Sequence, residues 1–164
     1  MEFRVRKILT AAALCFALMG LTAGPASASG SGSISNQGYC LTPKGGSQAN
    51  GTIITLWPCH SSTSQWVSAN YKIVLKGSAN KCITPYGGSL ANGAVLTLWD
   101  CNNDARSQQF MEIAFIKYPA ISVVNENSCI TPKGNSVGSG VYATLWTCTG
   151  ALSQAFSPDH WSID

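Results

Sequence analysis

The chain has 164 residues, which is within the usual size of one domain, and only 10% of them are charged. Ten Lys and Arg stand against seven Asp and Glu, and three of the basic residues (Arg4, Arg6 and Lys7) fall in the first seven positions. The remainder is nearly neutral and has no basic cluster that would follow a phosphate backbone, so nucleic acid is not an expected partner.

The first segment has the pattern of a secretory signal peptide. Basic "MEFRVRK" precedes the apolar run "ILTAAALCFALMGLTA" and the small residues of "GPASASG". Small side chains at Ala26 and Ala28 favour cleavage after Ala28, so we predict a signal peptide over 1–28 and a secreted, extracellular mature chain. A membrane anchor is the alternative, but the apolar run is short for a spanning helix of about 20 residues, and we expect no membrane span in the mature form.

Six cysteines remain after the signal peptide, and an even number in an exported protein predicts disulfides rather than a metal site. They allow fifteen pairings in principle. Here they form three pairs with the same separation of nineteen positions, inside similar sequences. Repeat symmetry therefore predicts the disulfides Cys40–Cys59, Cys82–Cys101 and Cys129–Cys148.

Each cysteine pair encloses a copy of one sequence unit: "CLTPKGGSQANGTIITLWPC", "CITPYGGSLANGAVLTLWDC" and "CITPKGNSVGSGVYATLWTC". The first two copies are identical at thirteen of twenty positions, which indicates internal duplication. The period is 42 residues from the first copy to the second and 47 from the second to the third. Such a period is typical of a supersecondary unit that packs against its copies. We predict one domain over 29–164 with repeats at about 33–72, 73–120 and 121–164.

The repeats have the composition of β-structure, because Gly-rich turns such as "GGSQANG" separate short runs of Ile, Val, Thr and Trp without a helical period. A blade of a β-propeller has a similar length. Propellers, however, have at least about four blades. We therefore predict an all-β fold in which three units close on a pseudo-threefold axis.

These repeats resemble those of the ricin-B-type β-trefoil lectins, a family that also supplies carbohydrate-binding modules to secreted bacterial enzymes. The resemblance rests on the cysteine pair in each repeat, the "GGS-x-ANG" turn, the Leu-Trp-x-Cys strand end, and a later Gln-x-Trp-like element, here "SQW", "QQF" and "QAF". It covers nearly the whole mature chain. It implies a β-trefoil of twelve strands, six in a short barrel and six capping it as three hairpins, and a glycan or polysaccharide ligand.

Strand alternation predicts three tryptophans on the outside of this fold. In "IITLWPC", Ile54 and Leu56 point to one face and Thr55 and Trp57 to the other. The aliphatic face belongs to the core, so Thr55 and Trp57 are expected outside, together with the equivalent pairs Thr97 with Trp99 and Thr144 with Trp146. An outward indole suits the apolar face of a sugar ring. The alternative is that each indole covers the disulfide formed by the cysteine two residues further on.

The resemblance also implies where a sugar binds. In the family an aromatic ring stacks on the sugar, an Asp two residues after the first cysteine accepts hydrogen bonds, and an Asn-Gln pair completes the pocket. The Asp positions here hold Thr42, Thr84 and Thr131. A carboxylate makes stronger hydrogen bonds than a hydroxyl, about 1.5 to 3 against 0.5 to 1.5 kcal/mol, so the usual galactose-binding mode is not expected.

The glutamine of the family pocket is kept in two repeats, as Gln108 and Gln154, while the first repeat has Ser64 there. With Trp99, Gln108 and the nearby Asp100 and Asp104, the second repeat has the fullest set, and the third follows. In the other interpretation, Asp100 only caps a turn and the two glutamines only satisfy backbone groups between strands.

We predict no catalytic residue, metal or cofactor, and therefore no enzyme. His60 and His160 do not recur in the other repeats, and the paired carboxylates of a glycosidase are missing. The competing class is a trefoil scaffold with degenerate sugar sites, which binds a secreted protein partner as a targeting subunit, for example of a toxin. The missing Asp favours the scaffold. The outward Trp in every repeat favours a lectin, which is our prediction.

Overall fold

The computed structural model describes residues 30–59, 62–115 and 117–163. The predicted signal peptide, residues 1–28, lies outside the described residues, as does His60. Across the described ranges, no helix is long and apolar enough to span a membrane.

Strands account for most of the regular structure, and helical structure in the described ranges consists of short 3-10 turns. The all-β prediction is therefore confirmed. The strands are β1 (Ser31–Gly32), β2 (Ile34–Asn36), β3 (Tyr39–Pro43), β4 (Ile54–Pro58), β5 (Trp66–Ala69), β6 (Lys72–Leu75), β7 (Lys81–Pro85), β8 (Leu96–Asp100), β9 (Phe110–Ala114), β10 (Pro119–Val123), β11 (Ser128–Pro132), β12 (Ala143–Thr147) and β13 (Ser157–Pro158). The 3-10 turns are Lys44–Gly46, Ser62–Ser64, Tyr86–Gly88, Arg106–Gln108, Lys133–Asn135 and Leu152–Gln154.

One strand more than the expected twelve is present because the first strand of repeat 1 is interrupted at Ser33. On one side of the interruption β1 pairs with β5, and on the other β2 pairs with β3 and β13. The carbonyl of Ser33 accepts hydrogen bonds from the N–H of Asp159 at 2.9 Å and from the indole N–H of Trp161 at 3.3 Å. Residues near the end of the chain thus occupy the gap.

Three equivalent hairpins, β3–β4, β7–β8 and β11–β12, carry the repeated sequence. Their registers match, and each places the first cysteine of its repeat opposite the tryptophan. The predicted disulfides form within these hairpins and are confirmed, with Cα–Cα distances of 5.0 to 5.1 Å: Cys40–Cys59, Cys82–Cys101 and Cys129–Cys148.

The hairpins meet around a pseudo-threefold axis, where the turn of each repeat docks on the strand of the next. Three leucine N–H groups donate across these junctions at 2.7 to 2.8 Å: Leu56 to Val141, Leu98 to Thr52 and Leu145 to Ala94. The carbonyls of the same leucines accept at 2.8 Å from Gly140, Gly51 and Gly93 respectively. This cyclic pattern is the closure predicted for three β units, and the fold is a β-trefoil.

The inward face of the hairpins forms the core, as strand alternation predicts. Ile54 and Leu56 are fully buried, and so are their counterparts Leu96, Leu98, Ala143 and Leu145. The aromatic residue that ends each Gln-x-Trp-like element is also fully buried: Trp66, Phe110 and Phe156. This leaves the opposite face of the hairpins for the site.

Candidate functional site

Each repeat has a surface pocket between its tryptophan and the turn that follows its first cysteine. Pocket 1 has a volume of about 480 Å³ and is lined by Thr42, Thr55, Trp57 and the turn 43–46, among others. Pocket 2, of about 410 Å³, has the equivalent lining of Thr84, Thr97, Trp99 and the turn 85–88, together with Gln108. Pocket 3, of about 110 Å³, is lined by Thr131, Pro132, Gly134, Asn135 and Trp146.

The three tryptophans are about half exposed, at 51%, 44% and 45% for Trp57, Trp99 and Trp146. The ring edge of each tryptophan lies against a glycine of the preceding repeat around the axis. A Cβ added to that glycine would be in van der Waals contact with Cζ3 of the indole, at 3.5 Å for Gly51 and Trp99, 3.6 Å for Gly93 and Trp146, and 3.9 Å for Gly140 and Trp57. Residues opposite in register share a face, so each indole also lies beside its disulfide. This geometry is compatible both with an indole that binds a sugar and with an indole that covers the disulfide.

The threonine two residues before each tryptophan was expected on the outer surface, but the structure buries it. Thr55, Thr97 and Thr144 are buried, with 2 to 4% of their surface exposed. Their hydroxyls donate across the hairpin to the carbonyls of Thr42, Thr84 and Thr131 at 3.1, 2.9 and 2.8 Å. They share the face of the tryptophan but lie beneath it, because the turn of the preceding repeat covers this part of the strand. Thr55 and Thr97 form the floor of pockets 1 and 2.

The threonines at the family's Asp positions have little hydrogen-bonding capacity left. The hydroxyls of Thr42, Thr84 and Thr131 donate to the carbonyl of the cysteine two residues earlier at 2.9 to 3.2 Å. Each is also bonded to a second side chain, Ser64 in repeat 1 and a glutamine in the other two. A hydroxyl has one donor and two acceptor positions, so in repeats 2 and 3 one acceptor position remains for a ligand.

Gln108 and Gln154 are buried and are used by the protein itself. The amide of Gln108 donates to the hydroxyl of Thr84 at 2.9 Å and to the carbonyl of Asp100 at 3.0 Å, and its oxygen accepts from the N–H of Asn102 at 2.7 Å. Gln154 makes the same three bonds, to Thr131, Thr147 and Thr149. Gln108 and Gln154 thus satisfy backbone groups, as the alternative interpretation of these residues expects. Their part in sugar binding stays a prediction.

Pocket 3 is small because a side chain fills it. Gly46 and Gly88 border pockets 1 and 2, and the equivalent residue in repeat 3 is Asn135. Asn135 lines pocket 3, and its amide oxygen accepts a hydrogen bond from the hydroxyl of Ser153 at 3.2 Å. Pocket size therefore ranks repeats 1 and 2 ahead of repeat 3.

Lys44 and Tyr86 are among the lining residues that sequence reasoning missed. Lys44 lines pocket 1 and Tyr86 lines pocket 2, both at the start of the 3-10 turn after the repeated Thr-Pro pair. Tyr86 is 66% exposed, more than any of the three tryptophans. The alignment of the repeats contained a signal for these two residues. In "TPKGG", "TPYGG" and "TPKGN", the residue between the proline and the first glycine is Lys, Tyr and Lys.

At the rim of pocket 2, Asp100 belongs to a polar network between repeats 1 and 2. It pairs with the ammonium group of Lys81 at 2.5 Å and accepts from the amide of Asn50 at 2.7 Å. The hydrogen bond from Lys81, supported by that from Asn50, lowers the pKa of Asp100 below its usual 3.8. The carboxylate thus contacts the neighbouring repeat rather than capping a turn alone.

The lowered pKa of Asp100 predicts a small pH-dependent contribution to stability. A carboxylate whose folded pKa is depressed stabilises the protein above its unfolded pKa, and this is lost as the pH falls through the folded value. We expect Asp100→Asn to lower Tm at neutral pH, and the gap to wild type to close in acid below the usual value of 3.8. Thermal unfolding followed by circular dichroism across this range measures the gap. Asp104→Asn is the charge-matched control, and a gap that widens in acid would contradict the assignment.

Among the described residues there is no group of three or more His, Cys, Asp or Glu side chains that is arranged to hold a metal ion. The polar groups of the pockets are hydroxyls, amides and single charges. Their arrangement suits reversible binding of a ligand with an apolar face and a hydroxyl-rich edge.

Comparison with known structures agrees with a threefold architecture. A designed 3-fold symmetric protein, ThreeFoil, is similar with a TM-score of 0.71 at 16% identity, covering 79% of this chain and 98% of that one. The C-half of an earthworm R-type lectin, determined in complex with GalNAc, has a TM-score of 0.63 at 14% identity, covering 77% and 95%. The cytolethal distending toxin of Haemophilus ducreyi has a TM-score of 0.61 at 20% identity, covering 85% and 90%. At these identities the likeness concerns the fold.

The family is established by sequence. The profile of the ricin-type beta-trefoil lectin domain matches residues 30–156, most of the chain. No curated protein matches the chain by sequence. The fold is a β-trefoil, and the chain belongs to the ricin-type β-trefoil lectin family.

Proposed function

We propose that the protein is a secreted, non-catalytic lectin that binds glycans or polysaccharides through Trp57, Trp99 and Trp146. The observation that carries the proposal is the repeated placement of a half-exposed indole at the wall of a pocket with a hydroxyl-bearing floor. The apolar face of a sugar ring stacks on an indole, and its hydroxyls find polar atoms beside it. The three disulfides support an oxidising, extracellular location.

Each site on its own is expected to bind weakly. The hydroxyls of Thr84 and Thr131 already donate their one hydrogen bond to a backbone carbonyl, so they can only accept hydrogen bonds from a sugar. Stacking therefore supplies most of the affinity. Several sites on one module raise the affinity for a polymer, because a second pocket binds at the high local concentration that the first contact creates.

Replacing the stacking ring tests the proposal. We expect Trp57→Ala and Trp99→Ala each to lower affinity for a bound polysaccharide by more than tenfold per site, since truncating an aromatic anchor costs about 2 kcal/mol. Trp146→Ala should have the least effect, because Asn135 narrows pocket 3. A glycan array followed by titration calorimetry on the strongest ligand measures these changes.

Tyr71→Ala is the matched control, because Tyr71 is an exposed aromatic, at 49%, that lines none of the three pockets. It should bind like wild type, and circular dichroism should show each variant folded. If the folded wild type binds no neutral, acidic or cell-wall glycan, the lectin proposal is wrong. Equal binding by wild type and the folded triple tryptophan variant would reject the assigned sites.

A second candidate is a protein-binding trefoil that targets a secreted assembly, with degenerate sugar sites. The threonines at the Asp positions favour it, and so does the burial of both glutamines. The similarity to a cytolethal distending toxin, which covers 85% of this chain, is compatible with it. A partner that copurifies from culture medium and still binds the triple tryptophan variant would support this candidate over the lectin.

A further inference from the structure

At the junction between repeats 3 and 1, two lysines lie over one tyrosine ring. The ammonium nitrogen of Lys44 is 5.6 Å from the ring centroid of Tyr142, and that of Lys133 is 5.8 Å from it. We call these three residues the lysine cluster. An exposed cation–π contact stabilises by only about 0.5–1 kcal/mol, so it does not replace the charge pairing that an anion would give each ammonium group.

The protein itself supplies no such anion in the described ranges. The ion pair found there joins Lys81 to Asp100 in repeat 2. Neither pocket 1 nor the depression of about 340 Å³ beside Tyr142 has an Asp or Glu in its lining. Lys44 and Lys133 therefore have an aromatic neighbour but no carboxylate partner among the residues that the structure describes.

The lysine cluster is continuous with pocket 1. Lys44 belongs to the lining of pocket 1, and Gly140 lines both pocket 1 and the depression that contains Lys133 and Tyr142. The same Gly140 supports the edge of Trp57. A glycan that stacks on Trp57 and continues past Gly140 thus meets both ammonium groups.

We propose that pocket 1 and the lysine cluster together bind an anionic glycan, with one sugar ring on Trp57 and carboxylate or sulfate groups paired with Lys44 and Lys133. The proposal rests on the lectin function and names the ligand class of one of its sites. An ammonium beside an aromatic platform suits an acidic sugar, because stacking and charge pairing act on different parts of the same ligand.

The other two junctions do not repeat this chemistry. Tyr142 is replaced by Ile53 and Val95 at the equivalent positions, and Lys44 by Tyr86 in pocket 2. The lining of pocket 2 contains no lysine or arginine, and its one carboxylate, Asp100, is already paired with Lys81. Pocket 2 is therefore assigned to neutral sugars, between the exposed rings of Trp99 and Tyr86. Because the formal net charge of the chain is only +3, attraction of anionic glycans depends on the local cluster rather than on a long-range field.

Matched polymers that differ only in charge test the proposal. Affinity is measured for dextran against dextran sulfate, and for polygalacturonate against its methyl-esterified form, at low and high salt. We expect tighter binding to at least one charged member, weakened by salt. Lys44→Gln and Lys133→Gln should each weaken that binding by roughly two- to fivefold, as for an exposed ion pair. Lys133→Gln should leave binding to neutral glycans unchanged, because Lys133 does not line pocket 1. Comparing the two polymer pairs distinguishes sulfate from carboxylate.

Lys117→Gln is the control, since Lys117 also lies over a tyrosine ring, 5.3 Å from the centroid of Tyr118, and lines neither pocket 1 nor the depression. It should bind the charged polymers like wild type. Equal losses in all three lysine variants, or an oligonucleotide that binds as tightly as the charged glycan, would show non-specific attraction and overturn the proposal. Binding of neutral glycans through Trp57 without any charge preference would overturn it and leave the lectin function intact. Absence of all glycan binding would reject both.

Discussion

Replacing Trp66 with Ala is expected to lower the free energy of unfolding by about 3–5 kcal/mol, the usual loss for a buried Trp. The ring is fully buried, and its indole N–H donates to the carbonyl of Leu41 at 3.0 Å. Leu56 faces Leu41 in the hairpin but donates its N–H to Val141 of repeat 3. The carbonyl of Leu41 therefore accepts from the indole of Trp66 and not from the strand opposite it. Since domains are stable by only about 5–15 kcal/mol, the variant should be marginally folded.

Trp66→Phe separates the packing from the hydrogen bond. Phe110 and Phe156 occupy the equivalent positions of repeats 2 and 3 and are fully buried, so a phenyl ring fits this part of the fold. The variant should lose about 1–3 kcal/mol, because the Leu41 carbonyl is left without its indole donor. Urea unfolding followed by circular dichroism measures both variants. Trp57→Ala, at a half-exposed ring, should lose about 1 kcal/mol or less, and equal losses for Trp57→Ala and Trp66→Ala would contradict the assignment of Trp66 to the core.

Much of the fold was predictable because the same sequence unit occurs three times in the chain. Equal spacing of the cysteines selected one pairing out of fifteen, and strand alternation identified Ile54 and Leu56 as core residues. Both are local properties of a hairpin and need no knowledge of its neighbours. The interruption at Ser33 was not predictable, since it depends on Asp159 and Trp161 at the other end of the chain.

The site was less predictable, because its depth depends on contacts between distant residues. Alternation gives the face on which Thr55 lies, but not the turn of repeat 3 that covers it. The small size of pocket 3 follows from a bond between Asn135 and Ser153, and the lysine cluster joins Lys44 to residues almost a hundred positions away. Residue type and repeat position indicate which residues line a pocket, whereas its volume and charge emerge only from the packing of three units.

Removing any one disulfide, by replacing both of its cysteines with Ala, is expected to lower the free energy of unfolding by about 3 kcal/mol. The sequence separation is 19 in all three, so the loop-closure entropy that each bond removes from the unfolded chain is the same. Cys40, Cys82 and Cys129 are fully buried, and Ala is used because Ser would bury an unpaired hydroxyl. Differences between the three variants therefore report on the folded state.

The variant without Cys40–Cys59 is expected to be the least stable of the three. At the junctions before repeats 2 and 3, an asparagine of the turn holds the end of the neighbouring strand: Asn50 binds Asp100, and Asn92 accepts from the N–H of Thr147 at 2.8 Å. At the third junction the equivalent residues are Ser139 and Pro58, and Pro58 has no N–H to donate. The disulfide of repeat 1 thus stabilises a strand end that the turn of repeat 3 holds less well. Chemical unfolding gives the order of stability, and hydrogen exchange should show the fastest opening at β4 in this variant; a larger loss for Cys82–Cys101 would contradict the ranking.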